Sequence, residues 1–267
     1  MSLQDIFRCS HPVLLQCCCD SKVMLHRTEG IVLKTIPFGE ADLIVTYLTE
    51  SHGIIKTFAK SPRKTKSRFG SSLEPLTYSK VAFWGREDAA MPRLTQADII
   101  HSFSSLRNSL KCFLPAMEMV ELTLNFVAER DANVRIYALL LSTLRSLETD
   151  CGAPLLPLYY KVQLLSMVGY LPGLDGCGRC GTSGNEFYLS HGTVLCSGCS
   201  RENEASLKIS AGLMQLHKNL LQWSPSKLDR IKPRESLVAE LSELLEEHVK
   251  YITEKTLKTG TYLRYRR

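Results

Sequence analysis

The sequence predicts a multidomain α+β chain: a small β-barrel, then an α-helical domain with a cysteine module set into it. Three observations carry this. From Thr28 to about Ile100 the apolar residues come in short runs rich in β-branched and aromatic types. After residue 104 they recur at threes and fours. Residues 177 to 199, CGRCGTSGNEFYLSHGTVLCSGC, hold two Cys-x2-Cys pairs separated by x15. A chain of 267 residues is long enough for more than one core.

The first 23 residues lack the basic start and long apolar stretch of a signal peptide, and Met24 directly precedes the first strand-like pattern. Residues 1–23 are therefore expected to be a disordered or spurious extension. Five strands are predicted next, in EGIVLKTIPF, ADLIVTYLT, GIIKTFAK, LTYSKVAFWG and PRLTQADII. Short separators at Phe38-Gly39-Glu40, Ser51-His52-Gly53 and Gly85 to Asp88 suit hairpins, whereas Lys60 to Gly70 is too long and polar for one. Five strands in residues 24–103 suit an OB-fold barrel, and an SH3-like barrel has nearly the same strand count.

Leu106, Leu110, Phe113, Met117, Val120, Leu124 and Val127 make one helical stripe, and Ile136, Leu140, Leu144 and Leu147 another. PLYYKVQLLSMVGYLP reads as a third helix ending near Gly169, with Pro172 beyond it. Residues 104–173 are thus the first part of the helical domain and 174–203 the cysteine module. Residues 204–267 hold the second part, with two amphipathic helices and a basic tail of Arg264, Arg266 and Arg267.

Cys177, Cys180, Cys196 and Cys199 are candidate ligands of a structural Zn2+, because each Cys-x2-Cys turn brings two sulfurs to face one ion. Two disulfides or a redox pair are the other readings, and a redox pair needs a βαβ unit that is not visible. NEFYLS and GTVLC, joined through His191-Gly192, would form the hairpin of a zinc ribbon. His191 at its tip reads as an exposed loop residue.

Net charge is +6, and much of it sits in KSPRKTKSR. Lys34, Lys56, Lys60, Arg63, Lys64, Lys66 and Arg68 are the candidate nucleic-acid contacts, with Phe69 as a stacking partner. Clustered charge can also be plain solvated surface. Tyr47, Phe58, Tyr78 and Trp84 are expected to point into the barrel. No phosphate loop, GxSxG elbow, HExxH or tight acidic cluster is present, so no enzyme is expected. No apolar run approaches the ~20 residues of a membrane helix. Ten cysteines in a chain that can build a core without staples read as a reducing, cytoplasmic setting.

EGIVLKTIPFGEADLIVTYLTESHGIIKTFAKSPRKTKSRFGSSLEPLTY and LLSMVGYLPGLDGCGRCG together resemble the bacterial RecO recombination mediators. The resemblance implies an OB domain with a basic loop, helices around a zinc module, and no catalysis. It also implies binding of single- and double-stranded DNA, strand annealing, and association with RecR and single-stranded-DNA-binding protein. Through these, RecA would be loaded indirectly, in the bacterial nucleoid. A zinc-ribbon adaptor in a transcription or assembly complex is the rival reading of the same residues.

Overall fold

The computed structural model describes residues 23–62, 69–86, 89–201, 204–228 and 232–259. Five strands open the described chain: β1 (Met24–Phe38), β2 (Asp42–Thr49), β3 (Gly53–Ala59), β4 (Tyr78–Gly85) and β5 (Arg93–His101). They close in the order β1-β2-β3-β5-β4, with β1 long enough to pair with β2 along one half and β4 along the other. Alternation sends Val32, Val45, Tyr47, Ile55, Val81, Phe83 and Leu94 inward, where they form the barrel core.

A bulge between Val32 and Lys34 shifts the phase of β1. Beyond it Lys34, Ile36 and Phe38 face outward, because a bulge inserts one extra residue and re-aims the side chains after it. The outer surface is thereby divided. Toward one end Ile31, Leu33, Leu48 and Ile54 belong to the core shared with the helices; toward the other, Ile36 and Phe38 remain exposed.

Among the described residues seven α-helices follow: α1 (Ser104–Asn108), α2 (Leu110–Phe126), α3 (Val134–Thr149), α4 (Leu155–Val168), α5 (Ala211–Gln222), α6 (Pro225–Leu228) and α7 (Glu235–Thr253). Their starts and stops obey local chemistry. The Asn133 side chain accepts from the amides of Arg135 and Ile136 to cap α3, Ser210 caps α5, and Gly169 at φ +82° ends α4 where the spacing predicts. α4 is central, packed by α2, α3, α5 and α7, and carries buried residues around most of its circumference.

The first predicted stripe differs from the observed one. Ser109 is extended and breaks the helix, so Leu110 is left 51% exposed while Cys112, Ala116, Met119 and Val120 are buried. Pro115 lies inside α2. Cys112 and Cys151 form a disulfide between α2 and the turn after α3, which corrects the expectation of a reduced chain without staples: packing brings together two sulfurs 39 residues apart that sequence spacing leaves unpaired.

Barrel and helices are also joined through the β2–β3 turn. The Arg130 amide donates to the Ile54 carbonyl at 2.9 Å, and Lys56 is ion-paired with Glu129. A Cβ on Gly53 would lie 2.3 Å from the Asp131 carbonyl oxygen, so only glycine permits this approach.

Candidate metal centre and nucleic-acid face

A second, four-stranded sheet packs on the helices: β6 (Gly173–Cys177), β7 (Glu186–Tyr188), β8 (Thr193–Leu195) and β9 (Leu207–Lys208), in the order β6-β8-β7-β9. β7 and β8 are the antiparallel hairpin expected around His191-Gly192, and β9 extends the sheet past residue 203. Its two faces have different neighbours. Leu174, Phe187 and Val194 join the large helical core, whereas Tyr188 and Leu195 pack with the cysteines in a cluster of their own.

The first Cys-x2-Cys turn closes when the Gly181 amide donates to the Cys177 carbonyl at 2.8 Å, with Gly181 at φ +75°. Gly178 lets the turn lie against β8, since a Cβ there would fall 2.5 Å from the Thr193 methyl. The second turn closes when the Cys199 and Ser200 amides donate to the Cys196 carbonyl at 2.9 and 3.0 Å. Arg179 ties the two together by donating to the Cys199 carbonyl at 2.7 Å.

All four sulfurs therefore converge. They lie within 4.8 Å of one another, with Cys180 Sγ and Cys196 Sγ 3.5 Å apart, and none of the four is disulfide-bonded. A tetrahedral zinc with Zn–S bonds of about 2.3 Å requires S···S separations of about 3.8 Å, so the residues fit such an ion. The electrostatics agree. The Cys196 backbone amide, foremost, draws the Cys177 thiol down to about 6, and the Thr182 hydroxyl, foremost, lowers Cys196. Cys199 is pushed up to about 12 by the neighbouring Cys180 and then Cys196 sulfurs. His191 stands apart at the hairpin tip, 3.2 Å from Glu204.

On the barrel, Lys34 and Lys60 are exposed on the outer surface, and Lys56 lies in the same cross-strand row as Lys34 through Thr46. Glu129 compensates the charge of Lys56. Arg63, Lys64, Lys66 and Arg68 lie outside the described residues, as do the N-terminal extension to residue 22 and the tail arginines.

Four expectations for the aromatics are overturned, because Phe69 faces inward and Trp84, Tyr78 and Phe58 face outward. Phe69 is 4% exposed and belongs to the barrel core, so it is no stacking partner for a base. Trp84 is 55% exposed and points outward. Tyr47 lies in the barrel core as expected. Tyr78, paired with Ile31, is instead buried outside the barrel against the helical core, and Phe58, in register with Ile44 and Arg93, is half-buried on the outer face. Sequence reasoning also missed Phe38, 53% exposed, and Arg93, which is paired in register with both Phe58 and Trp84. The one signal that could have found them is the strand register, and register was not legible without the bulge and the barrel closure.

Residues 24–103 match the family model described as "Recombination protein O N terminal", and residues 110–260 match "Recombination protein O C terminal". The chain belongs to the RecO family. A DNA repair protein RecO from Thermodesulfovibrio yellowstonii is 42% identical over 232 residues, covering 85% of this chain and 92% of its own. Those of Dehalococcoides mccartyi and Frankia casuarinae are 32% and 34% identical, over 89% and 90% of this chain and 94% and 98% of theirs. In RecO terms, the barrel is the N-terminal segment, and the helices with the sulfur cluster are the C-terminal one. No described helix is long and apolar enough to cross a membrane.

Proposed function

We propose that this chain is a non-enzymatic recombination mediator that binds single- and double-stranded DNA without reading its sequence and anneals complementary strands. It acts with RecR and single-stranded-DNA-binding protein to promote RecA loading at the nucleoid. The observation that carries the reading is cationic: Lys34 and Lys60 are exposed on the barrel's outer surface, and in the sequence Lys60 leads into Arg63, Lys64, Lys66 and Arg68. The strand order β1-β2-β3-β5-β4 supports an OB-type barrel, a scaffold that presents such charges to nucleic acid.

Annealing brings together two phosphate backbones that repel each other. Lysine and arginine neutralise them while leaving base edges free to find their complements, and these contacts carry no sequence information. Zinc, held by Cys177, Cys180, Cys196 and Cys199, would have no open coordination position and would supply fold stability only. Its place on the helical core suits a support, since Leu174, Phe187 and Val194 already tie the sheet to that core.

The test is binding as a function of salt. If Lys34, Lys60, Arg63, Lys64, Lys66 and Arg68 each meet one phosphate, the logarithm of the association constant for a single strand falls with log salt at a slope of roughly −4, whatever the base order. Arg63→Glu, Lys64→Glu and Lys66→Glu together bring the slope to roughly −2 and weaken strand annealing, with the circular dichroism spectrum unchanged. A salt-insensitive, sequence-selective footprint would overturn the reading.

A further inference from the structure

The outward-facing apolar residues of the barrel fall into two groups. Ile31, Leu33, Leu48 and Ile54 are covered by the helical domain, which explains them. Met24, Leu25, Ile36, Phe38, Trp84, Ile99 and Ile100 are not covered, and among them Ile36, Phe38 and Trp84 are 40%, 53% and 55% exposed. Neither the barrel core nor the domain contact uses them.

Register places Ile36 and Trp84 in a line. Ile36 pairs with Ile44, Ile44 with Phe58, Phe58 with Arg93, and Arg93 with Trp84. Residues paired across neighbouring strands project from the same face, so the row runs transversely across β1, β2, β3, β5 and β4 on the outside of the barrel. Phe38 lies two residues beyond Ile36 on that face, and its ring meets Phe58 edge-on at 5.8 Å. Phe58 and Trp84 are two strand spacings apart, roughly 10 Å, with Arg93 between them. Lys34 lies two residues before Ile36 on the same face, and Lys60 lies two residues after Phe58 where the basic segment begins.

We infer that the row Phe38, Phe58, Arg93 and Trp84 is a stacking platform for unpaired nucleobases, and that it gives the barrel a preference for single strands over duplex. The inference rests on the DNA-binding reading and adds to it the part of the ligand that charge does not recognise. Phosphates alone do not distinguish a single strand from a duplex by anything but charge density. Aromatic faces do, because a duplex keeps its base faces stacked on one another, whereas a single strand can lay them on Trp84 or Phe38. Arg93 suits the middle of such a row, since a guanidinium both stacks on a base and pairs with a phosphate. Cationic residues on both sides make the occupant a polyanion with flat apolar groups.

The experiment uses the full chain, an oligo-dT strand and a mixed-sequence duplex of the same length. Trp84→Ala and Phe38→Ala each weaken binding of the single strand about 5- to 150-fold and change duplex binding less than about twofold. The salt slope for the single strand stays as in the wild type, because stacking releases no counterions. Trp84→Phe keeps most of the affinity. The strand also quenches wild-type tryptophan emission and fails to produce the same quench in Trp84→Phe.

Equal losses on strand and duplex, or no loss on either, overturn the platform while leaving the DNA-binding reading in place. In the second case the row is a face for a protein partner. A wild-type chain that binds neither probe at low salt overturns the DNA-binding reading, and the platform with it.

Discussion

Lys161 of α4 and Glu118 of α2 form an ion pair of 2.7 Å whose side chains are 2% and 8% exposed. Lys161→Met preserves length and apolar contact but leaves a buried carboxylate with no counter-charge, and breaking such a pair costs about 3–5 kcal/mol. Both residues line a cleft of about 530 Å³ that α7 closes, through which water can reach the stranded group. The lower end, about 3 kcal/mol, is therefore expected for Lys161→Met, and a similar cost for Glu118→Leu, which strands the ammonium instead. The double variant buries no charge and returns to within about 1 kcal/mol of the wild type, because desolvation of the pair offsets most of its Coulomb attraction. Urea unfolding monitored at 222 nm reads this out, since α2 and α4 lie in the helical domain. Single variants that cost less than about 1 kcal/mol, or a double variant that loses the sum of both, would refute the reasoning.

Elemental analysis of the purified chain is expected to give one zinc per molecule. Chelation, or Cys177→Ser with Cys196→Ser, should abolish hydrogen-exchange protection at the two cysteine turns while the barrel keeps its own. His217 is buried beside His248, and burial draws its imidazole down to about 4 and lowers His248 too. A histidine whose folded pKa is depressed contributes its full stability above the unfolded value near 6.5 and loses it as pH falls toward 4. For His217 the loss approaches about 3 kcal/mol. Urea midpoints should accordingly drop between pH 7 and 4.5, and drop less in His217→Leu; parallel pH profiles for the two proteins would exclude this origin. Gly53→Ala, at φ +63° and facing the Asp131 carbonyl, is expected to cost at least about 2 kcal/mol by thermal unfolding. A shift indistinguishable from zero would mean that the β2–β3 turn is not held against the helices.

The cysteine centre was the most legible part of the sequence, because both turns are local. Two thiols three residues apart, with Gly178, Gly181 and Gly198 near them, specify their own geometry, and the hairpin between supplies the rest. The α4 terminus at Gly169 was legible for the same reason. The first helical stripe was not. An extended Ser109 rotates α2 relative to α1, and helix period alone does not locate such a break. Lys56 read as a free cation because its partner Glu129 lies far along the chain. Cys112 and Cys151, 39 residues apart, likewise meet only through the packing of α2 against the turn after α3.

By itself the sequence determined the strand-rich first part, the helical remainder, the four-sulfur turns and the basic segment, all of which depend on spacings among near neighbours. Tertiary structure alone decided that Phe69 closes the barrel core while Trp84, Phe38 and Arg93 stand outside it. The physical reason is that a strand's alternation has a period but no absolute phase. One bulge in β1, the closure of β3 on β5 and the reach of the helical domain fix which side is inside and which part of the outside stays bare.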